Sequence, residues 1–163
     1  MPFSVLLLTA ASSERHISGY GGDRVVMPSL LPKEVVLFFD KVDSEIVSRG
    51  LGLSGEQCCD GVIFYSSDKH KVICLVEMKS SDLGDAEEQI KSTHRKLSEL
   101  LKKECKLCNE RLDQIIWKAY IYRSSGSPKR QAEDCVGNLI KYGFKRGNAL
   151  VLGKPDITDF LRK

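Results

Sequence analysis

The sequence lacks the segments that place proteins in or across membranes. No apolar run among its 163 residues is long enough to span a bilayer. The apolar start, residues 1–10, is short and has no basic region before it, which favours a first β-strand over a signal peptide. We therefore expect a cytoplasmic protein that does not bind membranes.

Two familiar kinds of site are also missing, and a third is incomplete. No Gly-x-x-x-x-Gly-Lys phosphate loop is present, and none of the 3 histidines has the serine or aspartate context of a hydrolase triad. Cys105 and Cys108 have the spacing of two zinc ligands, but no second pair accompanies them. We therefore expect the 6 cysteines to be reduced and unliganded, with structural zinc at Cys105 and Cys108 as the alternative.

Charge is unevenly distributed along the chain. The formal net charge is only +3, yet residues 1–90 carry 14 acidic and 8 basic side chains, whereas residues 91–163 carry 8 acidic and 17 basic side chains. An excess of basic residues in one half favours contact with a polyanion such as nucleic acid. The alternative is that these lysines and arginines only solvate helices.

Two apolar segments in the middle of the chain predict a β-hairpin. Residues 58–65 and 72–79 are joined by a polar turn at residues 66–69. Both faces of the second strand are apolar until its last three residues, as expected for a central strand covered on both sides. Because side chains alternate along a strand, we expect Glu77 and Lys79 on the same side, where the strand leaves the core.

The other elements predict an α/β domain with a central mixed sheet flanked by helices. Apolar residues with a helical period predict helices over residues 33–48 and 85–106. Four further elements are predicted: a strand over 115–122, a helix over 131–142 that ends at Gly143, a strand over 149–152 and a short helix over 157–161. Residues 1–163 are expected to form one domain with a core at about 33–152, and residues 1–32 a strand and loop extension.

A group of acidic and basic residues is predicted where the hairpin strands leave the core. Asp60 lies near the start of the first strand, 17 positions before Glu77, so the two carboxylates are expected to meet. They are candidate ligands of Mg²⁺ or Mn²⁺, with the Met78 carbonyl as a third ligand. Lys79 is suited to orienting a water or stabilising charge on a phosphate. The alternative is a solvated Glu-x-Lys pair and a turn aspartate.

The order of elements, with Asp60, Glu77 and Lys79 in these places, resembles the PD-(D/E)xK nuclease superfamily. The resemblance covers residues 33–152 and implies the restriction-endonuclease-like fold, an αβββαβ-type core. In that core a helix precedes a hairpin that carries Asp and then Glu-x-Lys. It also implies metal-dependent hydrolysis of phosphodiester bonds with these three residues as the catalytic set. Cys59 stands where the family often has proline.

The resemblance also implies supporting residues. Many members add an acid from the first helix, and the candidates here are Glu34, Glu45 and Asp40. Glu45 is preferred because it lies one turn from Val42, at the border of the predicted apolar face. In some members a glutamine on the helix after Glu-x-Lys faces the site, and Gln89 has a matching place, although the longer Gln-x-x-x-Tyr motif is not matched.

Five basic residues are predicted to contact phosphates. Three lie on the polar side of the second long helix and two on a loop: Lys91, Arg95, Lys96, Lys129 and Arg130. The leading hypothesis is therefore a Mg²⁺- or Mn²⁺-dependent nuclease that acts on DNA. Since one small domain cuts only one strand at a time, a homodimer or a larger complex is expected. The alternatives are a catalytically silent module of the same fold that binds nucleic acid or a protein, and an unrelated small α/β protein.

Overall fold

The computed structural model describes residues 11–12, 14–19, 22–55, 57–79, 83–108, 112–123 and 129–163. These residues form an α/β fold around a five-stranded mixed sheet. The strands are β1 (His16–Ser18), β2 (Arg24–Val26), β3 (Val35–Asp40), β4 (Gly61–Ser66), β5 (Lys71–Lys79), β6 (Ile115–Arg123) and β7 (Ala149–Leu152). The helices are α1 (Glu45–Gly50), α2 (Leu83–Cys108), α3 (Lys129–Tyr142) and α4 (Thr158–Arg162), and Leu112–Gln114 form a 3₁₀ turn.

The central sheet has the strand order β3-β4-β5-β6-β7. Strands β3, β4 and β5 form an antiparallel meander, whereas β5, β6 and β7 are parallel. Each parallel connection needs a crossover, and the crossovers here contain α2 and α3. As a result, the start of β4 and the ends of β3, β5 and β6 meet at one end of the sheet, called here the Lys79 end.

Each face of the sheet has its own apolar core. The helical face is covered by α2 and α3, and its fully buried residues include Leu75, Ile90 and Leu139. The opposite face, called here the hairpin face, is covered by the β1–β2 hairpin and α4 and includes Ile17. Each such side chain contributes about 1.5–3 kcal/mol on burial, so both faces hold the sheet in place.

The prediction of a helix over residues 33–48 is wrong. Residues Val35–Asp40 form edge strand β3, and only the six residues of α1 are helical. Phe38 and Phe39 are buried on opposite faces of the sheet, which is the alternation of a strand. Valine and phenylalanine favour strands, and pairing with β4 supplies the backbone hydrogen bonds. Lys41, with φ 53°, then ends the strand.

The other predicted elements are confirmed, with shifts of one to three residues at their ends. The apolar stripe of α2 is buried, and Gly143, with φ 140°, ends α3 by donating its N–H to the Leu139 carbonyl. Two expectations change. Lys129 and Arg130 begin α3 and do not lie on a loop. The helix that the family resemblance implies before the hairpin is replaced by strand β3, and the β1–β2 hairpin lies in the region predicted as a strand and loop extension.

The described cysteine side chains are buried free thiols, at Cys58, Cys59, Cys74 and Cys135. The side chains of Cys105 and Cys108 and the predicted strand in residues 1–10 lie outside the described residues. No helix within the described ranges is long and apolar enough to cross a membrane.

Candidate functional site

Asp60 joins the start of β4 to the end of β5. Its N–H donates to Oε2 of Glu77 at 3.1 Å, and its Oδ2 accepts the Met78 N–H at 2.7 Å. These bonds follow from the register, because Gly61 pairs with Val76 and Asp60 therefore lies opposite Glu77. The predicted meeting of the two acids thus occurs, and the backbone of each strand holds the carboxylate of the other.

Glu77 and Lys79 form an ion pair on the helical face. The Lys79 Nζ lies 3.1 Å from Oε1 of Glu77. Glu77 is almost fully buried, with 1% of its side chain exposed, whereas Lys79 is 24% exposed. They follow Ile73 and Leu75 on that face, as the alternation along the strand predicts. Lys79 is therefore the member of the pair that solvent reaches.

Negative charge at this end is only partly neutralised. Burial, followed by the neighbouring charge of Asp60, raises the pKa of Glu77 to about 8, although Lys79 acts in the opposite direction. Burial also raises the pKa of Asp60, with smaller contributions from Asp43 and Asp40. Ionisation of both carboxylates thus calls for more positive charge than Lys79 provides.

The metal-ligand arrangement is incomplete from side chains alone. Within the described ranges, no group of three or more His, Cys, Asp or Glu side chains is arranged to hold a metal ion. Mg²⁺, however, is commonly held by one or two carboxylates and completes its shell with waters and phosphate oxygens. Among the described residues, no hydrogen bond occupies Oδ1 of Asp60. Asp60 and Glu77 therefore fit a divalent cation that keeps several waters.

The Met78 backbone is the predicted third ligand. The N–H and C=O of one residue in an extended strand point to the same edge, as in an antiparallel pair that exchanges both bonds. The Met78 N–H points to Asp60, so its carbonyl faces the same edge. This arrangement is compatible with the prediction.

Asp40 is the candidate that comes nearest to Asp60 along the sheet. Its Cα pairs with that of Gly61, at the end of β3. However, Asp40 follows Phe38 on the hairpin face, and its Oδ1 accepts the Ser18 N–H at 2.7 Å. Asp40 therefore holds the β1–β2 hairpin and adds negative charge near the site. A strand interpretation of residues 35–40 would have revealed this position.

The other two acidic candidates lie elsewhere. Glu45 begins α1 and is exposed, and the long helix that placed it beside Val42 is not formed. Glu34 precedes β3 at the opposite end of the sheet, where Arg162 and Tyr65 bind its carboxylate. A supporting role for Glu45 stays a prediction.

Helix α2 contacts the site through Thr93, which sequence reasoning missed. The Thr93 Oγ1 accepts the Cys59 N–H at 2.9 Å and donates to the Gln89 carbonyl at 2.8 Å. Gln89 lies one turn before Thr93, and its Oε1 is buried without a hydrogen-bond partner among the described residues. The helix therefore presents Gln89 near the start of β4, and its predicted supporting role stays open.

Lys91 is paired with acidic residues of its own helix. Its Nζ contacts the carboxylates of Glu87 and Glu88 and lies 5.9 Å from the centre of the Tyr142 ring. Lys96 is half-buried on the same helix. Lys91 therefore faces α3, and a contact with phosphate would compete with its ion pairs.

The remaining predicted phosphate contacts are exposed. The Arg95 Nη1 lies 4.0 Å from Oε1 of Glu99 on the same helix. The Lys129 Nζ lies 3.7 Å from Oε1 of Glu133, also on the same helix. Arg130 is also exposed, in the first turn of α3. Because exposed ion pairs of this kind contribute little, they leave these side chains able to turn toward a polyanion.

The sequence matches no protein-family model, and comparisons with curated proteins and with solved structures find no match either.

Proposed function

We propose that this protein is a divalent-metal-dependent nuclease that hydrolyses phosphodiester bonds in DNA. The observation that carries the proposal is the contact between Asp60, Glu77 and Lys79. Two carboxylates and one partly exposed cation meet where two buried strands reach solvent. Such a grouping is suited to a metal ion and a phosphate, because the metal and the lysine together offset the repulsion between the acids and the substrate.

The topology supports the same proposal. An antiparallel meander, a helical crossover and a parallel fourth strand follow one another in β3, β4, β5, α2 and β6. This order resembles the strand and second-helix part of a restriction-endonuclease-like core, with the acid before β4 and Glu-x-Lys at the end of β5. The helix expected before the meander has no counterpart in the described residues, so the likeness rests on the later elements.

Asp60, Glu77 and the Met78 carbonyl would hold Mg²⁺ or Mn²⁺. When bound, such an ion polarises the phosphate and acidifies a water. Lys79 is held beside Glu77 as a cation, which suits it to donate hydrogen bonds to the attacking water or to a phosphate oxygen. The water gives up a proton to solvent as its oxygen bonds to phosphorus, the ester bond to the leaving sugar oxygen breaks, and that oxygen takes up a proton from solvent.

Substrate binding is assigned to the basic second half of the chain. Its excess of basic residues suits a polyanion, and α2 and α3 lie on the same face of the sheet as Glu77. A homodimer, or a place in a larger complex, is part of the proposal because one site cuts one strand at a time.

A cleavage assay tests the proposal. Plasmid, linear, single-stranded and branched DNA, together with RNA, are incubated with wild-type protein and Mg²⁺, Mn²⁺ or EDTA. Cleavage that requires the metal and is lost in Lys79→Ala is the expected result. Lys71→Ala is the matched control, because Lys71 is an exposed lysine at the other end of the same strand.

The same assay separates the proposal from its main alternative. Metal-independent binding of DNA with no cleavage of any substrate would favour a catalytically silent module. Cleavage that survives in both Lys79→Ala and Glu77→Gln would contradict the assigned site.

A further inference from the structure

Arg123 lies beside Lys79 at the end of the parallel pair β5–β6. The Cα atoms of the two residues are partners in the register, on strands that run about 4.8 Å apart. Arg123 follows Ala119 and Ile121, which are buried on the helical face. Alternation therefore puts Arg123 on the same face as Glu77 and Lys79.

The backbone of Arg123 is held closely on its other side as well. A Cβ atom added at Gly153, just after β7, would lie 2.9 Å from the Arg123 carbonyl oxygen. Glycine at that position thus lets the chain pass against Arg123. The arginine is held between Lys79 and Gly153, which fixes the point from which its side chain starts.

The guanidinium of Arg123 has a buried donor that is not used. Its Nε is inaccessible to solvent and has no hydrogen-bond partner among the described residues. Leaving a buried donor unsatisfied is unfavourable, more so for a charged group, so such atoms are uncommon and call for an explanation. Of the three such side-chain atoms in the described residues, Gln89 Oε1 is a second one on the helical face.

We propose that Arg123, together with Lys79, forms a phosphate-binding site at the Lys79 end of the sheet, and that it holds a backbone phosphate of the nucleic acid. The inference rests on the proposed nuclease function and names a residue that grips its substrate. A guanidinium offers Nε and Nη donors in a fixed fork that matches two phosphate oxygens. Because solvent does not reach Nε, the Arg123 side chain has to turn outward for a phosphate to accept from it, and Lys79, its partner in the register, then lies beside the same anion.

Arg123 is distinct from the exposed basic residues of α2 and α3. Arg95 and Lys129 each lie beside a glutamate, whereas Arg123 forms no ion pair with any carboxylate in the described ranges. Within the part of the chain that the structure describes, no carboxylate therefore neutralises the Arg123 guanidinium. Phosphate is the ligand whose charge and paired oxygens match a forked guanidinium next to a lysine.

Inorganic phosphate is the first probe. Thermal unfolding is followed with and without millimolar phosphate, in EDTA, for wild type, Arg123→Gln and Arg123→Lys. Arg24→Gln is the matched control, because Arg24 is an exposed arginine on the hairpin of the opposite face. Phosphate is expected to raise the midpoint of wild type and Arg24→Gln, to raise that of Arg123→Lys less, and to leave that of Arg123→Gln unchanged.

DNA binding is the second probe. Affinity for a fluorescent DNA duplex is measured in EDTA over a range of salt concentrations. Losing one phosphate contact should weaken binding and reduce the slope of log K against log salt by about 1 in Arg123→Gln but not in Arg24→Gln. Equal affinity and slope in wild type and Arg123→Gln, with equal phosphate effects, would overturn the inference.

Failure of the inference and failure of the proposed function give different results. A phosphate effect that depends on Arg123, with no cleavage of any substrate, would support the phosphate site and contradict the nuclease proposal. Metal-dependent cleavage, with equal phosphate and DNA binding in wild type and Arg123→Gln, would support the nuclease proposal and contradict the phosphate site. Absence of both cleavage and any phosphate effect overturns both.

Discussion

Two glutamates at opposite ends of the central sheet are both nearly buried beside a cation, yet their carboxylates differ in charge balance. Glu34 is 5% exposed and Glu77 is 1% exposed. Glu34 accepts two hydrogen bonds from Arg162, at 2.8 Å each, and further bonds from Tyr65 and Leu31. Its pKa is lowered to about 2, chiefly by the hydrogen bond to Arg162.

Glu77 has fewer hydrogen-bond partners than Glu34, and a second carboxylate, that of Asp60, lies beside it. It accepts one backbone N–H and contacts Lys79, while burial and then Asp60 raise its pKa to about 8. The Glu34 carboxylate stabilises the fold, because Arg162 already neutralises its charge. The Glu77 carboxylate is only partly neutralised, which suits it to bind a cation. The end of the sheet that holds Glu34 therefore has a structural role, whereas the Lys79 end is suited to binding a cation.

The largest expected effect is on cleavage at the Lys79 end. Glu77→Gln and Lys79→Ala should each lower kcat/KM by about 100- to 1,000-fold, the usual cost of one charge-stabilising group. Glu77→Gln should leave the unfolding midpoint in EDTA unchanged or raise it, because the raised pKa of Glu77 means that its ionisation disfavours the folded state. A matching loss of stability and activity would mean that Glu77 serves the fold as Glu34 does.

The next largest expected effect is a change in the pH dependence of the unfolding midpoint when Glu34 is replaced. Since the folded-state pKa of Glu34 is lowered, its ionised form stabilises the fold above the unfolded-state pKa of about 4.5. That contribution is lost as pH falls from about 4.5 to about 2. Glu34→Gln should therefore lower the unfolding midpoint at pH 7 and converge with wild type near pH 2.

Asp68→Asn provides the matched control for Glu34. Asp68 pairs with Lys33 at the same end of the sheet, but both side chains are largely exposed. Exposed pairs contribute little, so its midpoint should stay near wild type throughout. Equal behaviour of the two variants would remove the distinction between a neutralised buried carboxylate and an exposed one.

A smaller effect is expected from divalent cations. Mg²⁺ or Mn²⁺ at ten times its dissociation constant should stabilise wild type by about 1.4 kcal/mol, because the ion binds the folded state. Calorimetry or thermal unfolding should find this shift abolished in Asp60→Asn and preserved in Glu34→Gln. A shift that persists in Asp60→Asn would place the cation away from the Lys79 end.

The smallest effect is expected at Glu45. Its side chain is exposed at the start of α1, so Glu45→Ala should change the free energy of unfolding by no more than about 0.5 kcal/mol. Cleavage should also stay close to wild type, as measured by kcat/KM. A loss of cleavage as large as that of Lys79→Ala would restore Glu45 as a third acid of the site.

The local pattern of apolar residues was sufficient to predict an element where that pattern is compatible with only one kind of secondary structure. Strand β5 is apolar on both faces, and α2 has a long helical stripe, so both were predicted. The common side of Glu77 and Lys79 followed from alternation. Residues 35–39, by contrast, are a short apolar run compatible with a helix or a strand. Pairing with β4 decided in favour of the strand, and local sequence carries no information about that partner.

The sequence by itself determined the α/β class, the hairpin and the meeting of Asp60 with Glu77, because these depend on side-chain period and on neighbours across one turn. Tertiary structure alone decided which charges are neutralised. Glu34 binds Arg162 across 128 positions, and Arg123 is the register partner of Lys79 only because β6 lies parallel to β5. Electrostatic energy depends on distance and burial in the folded chain, and neither can be inferred from the separation of residues along the sequence.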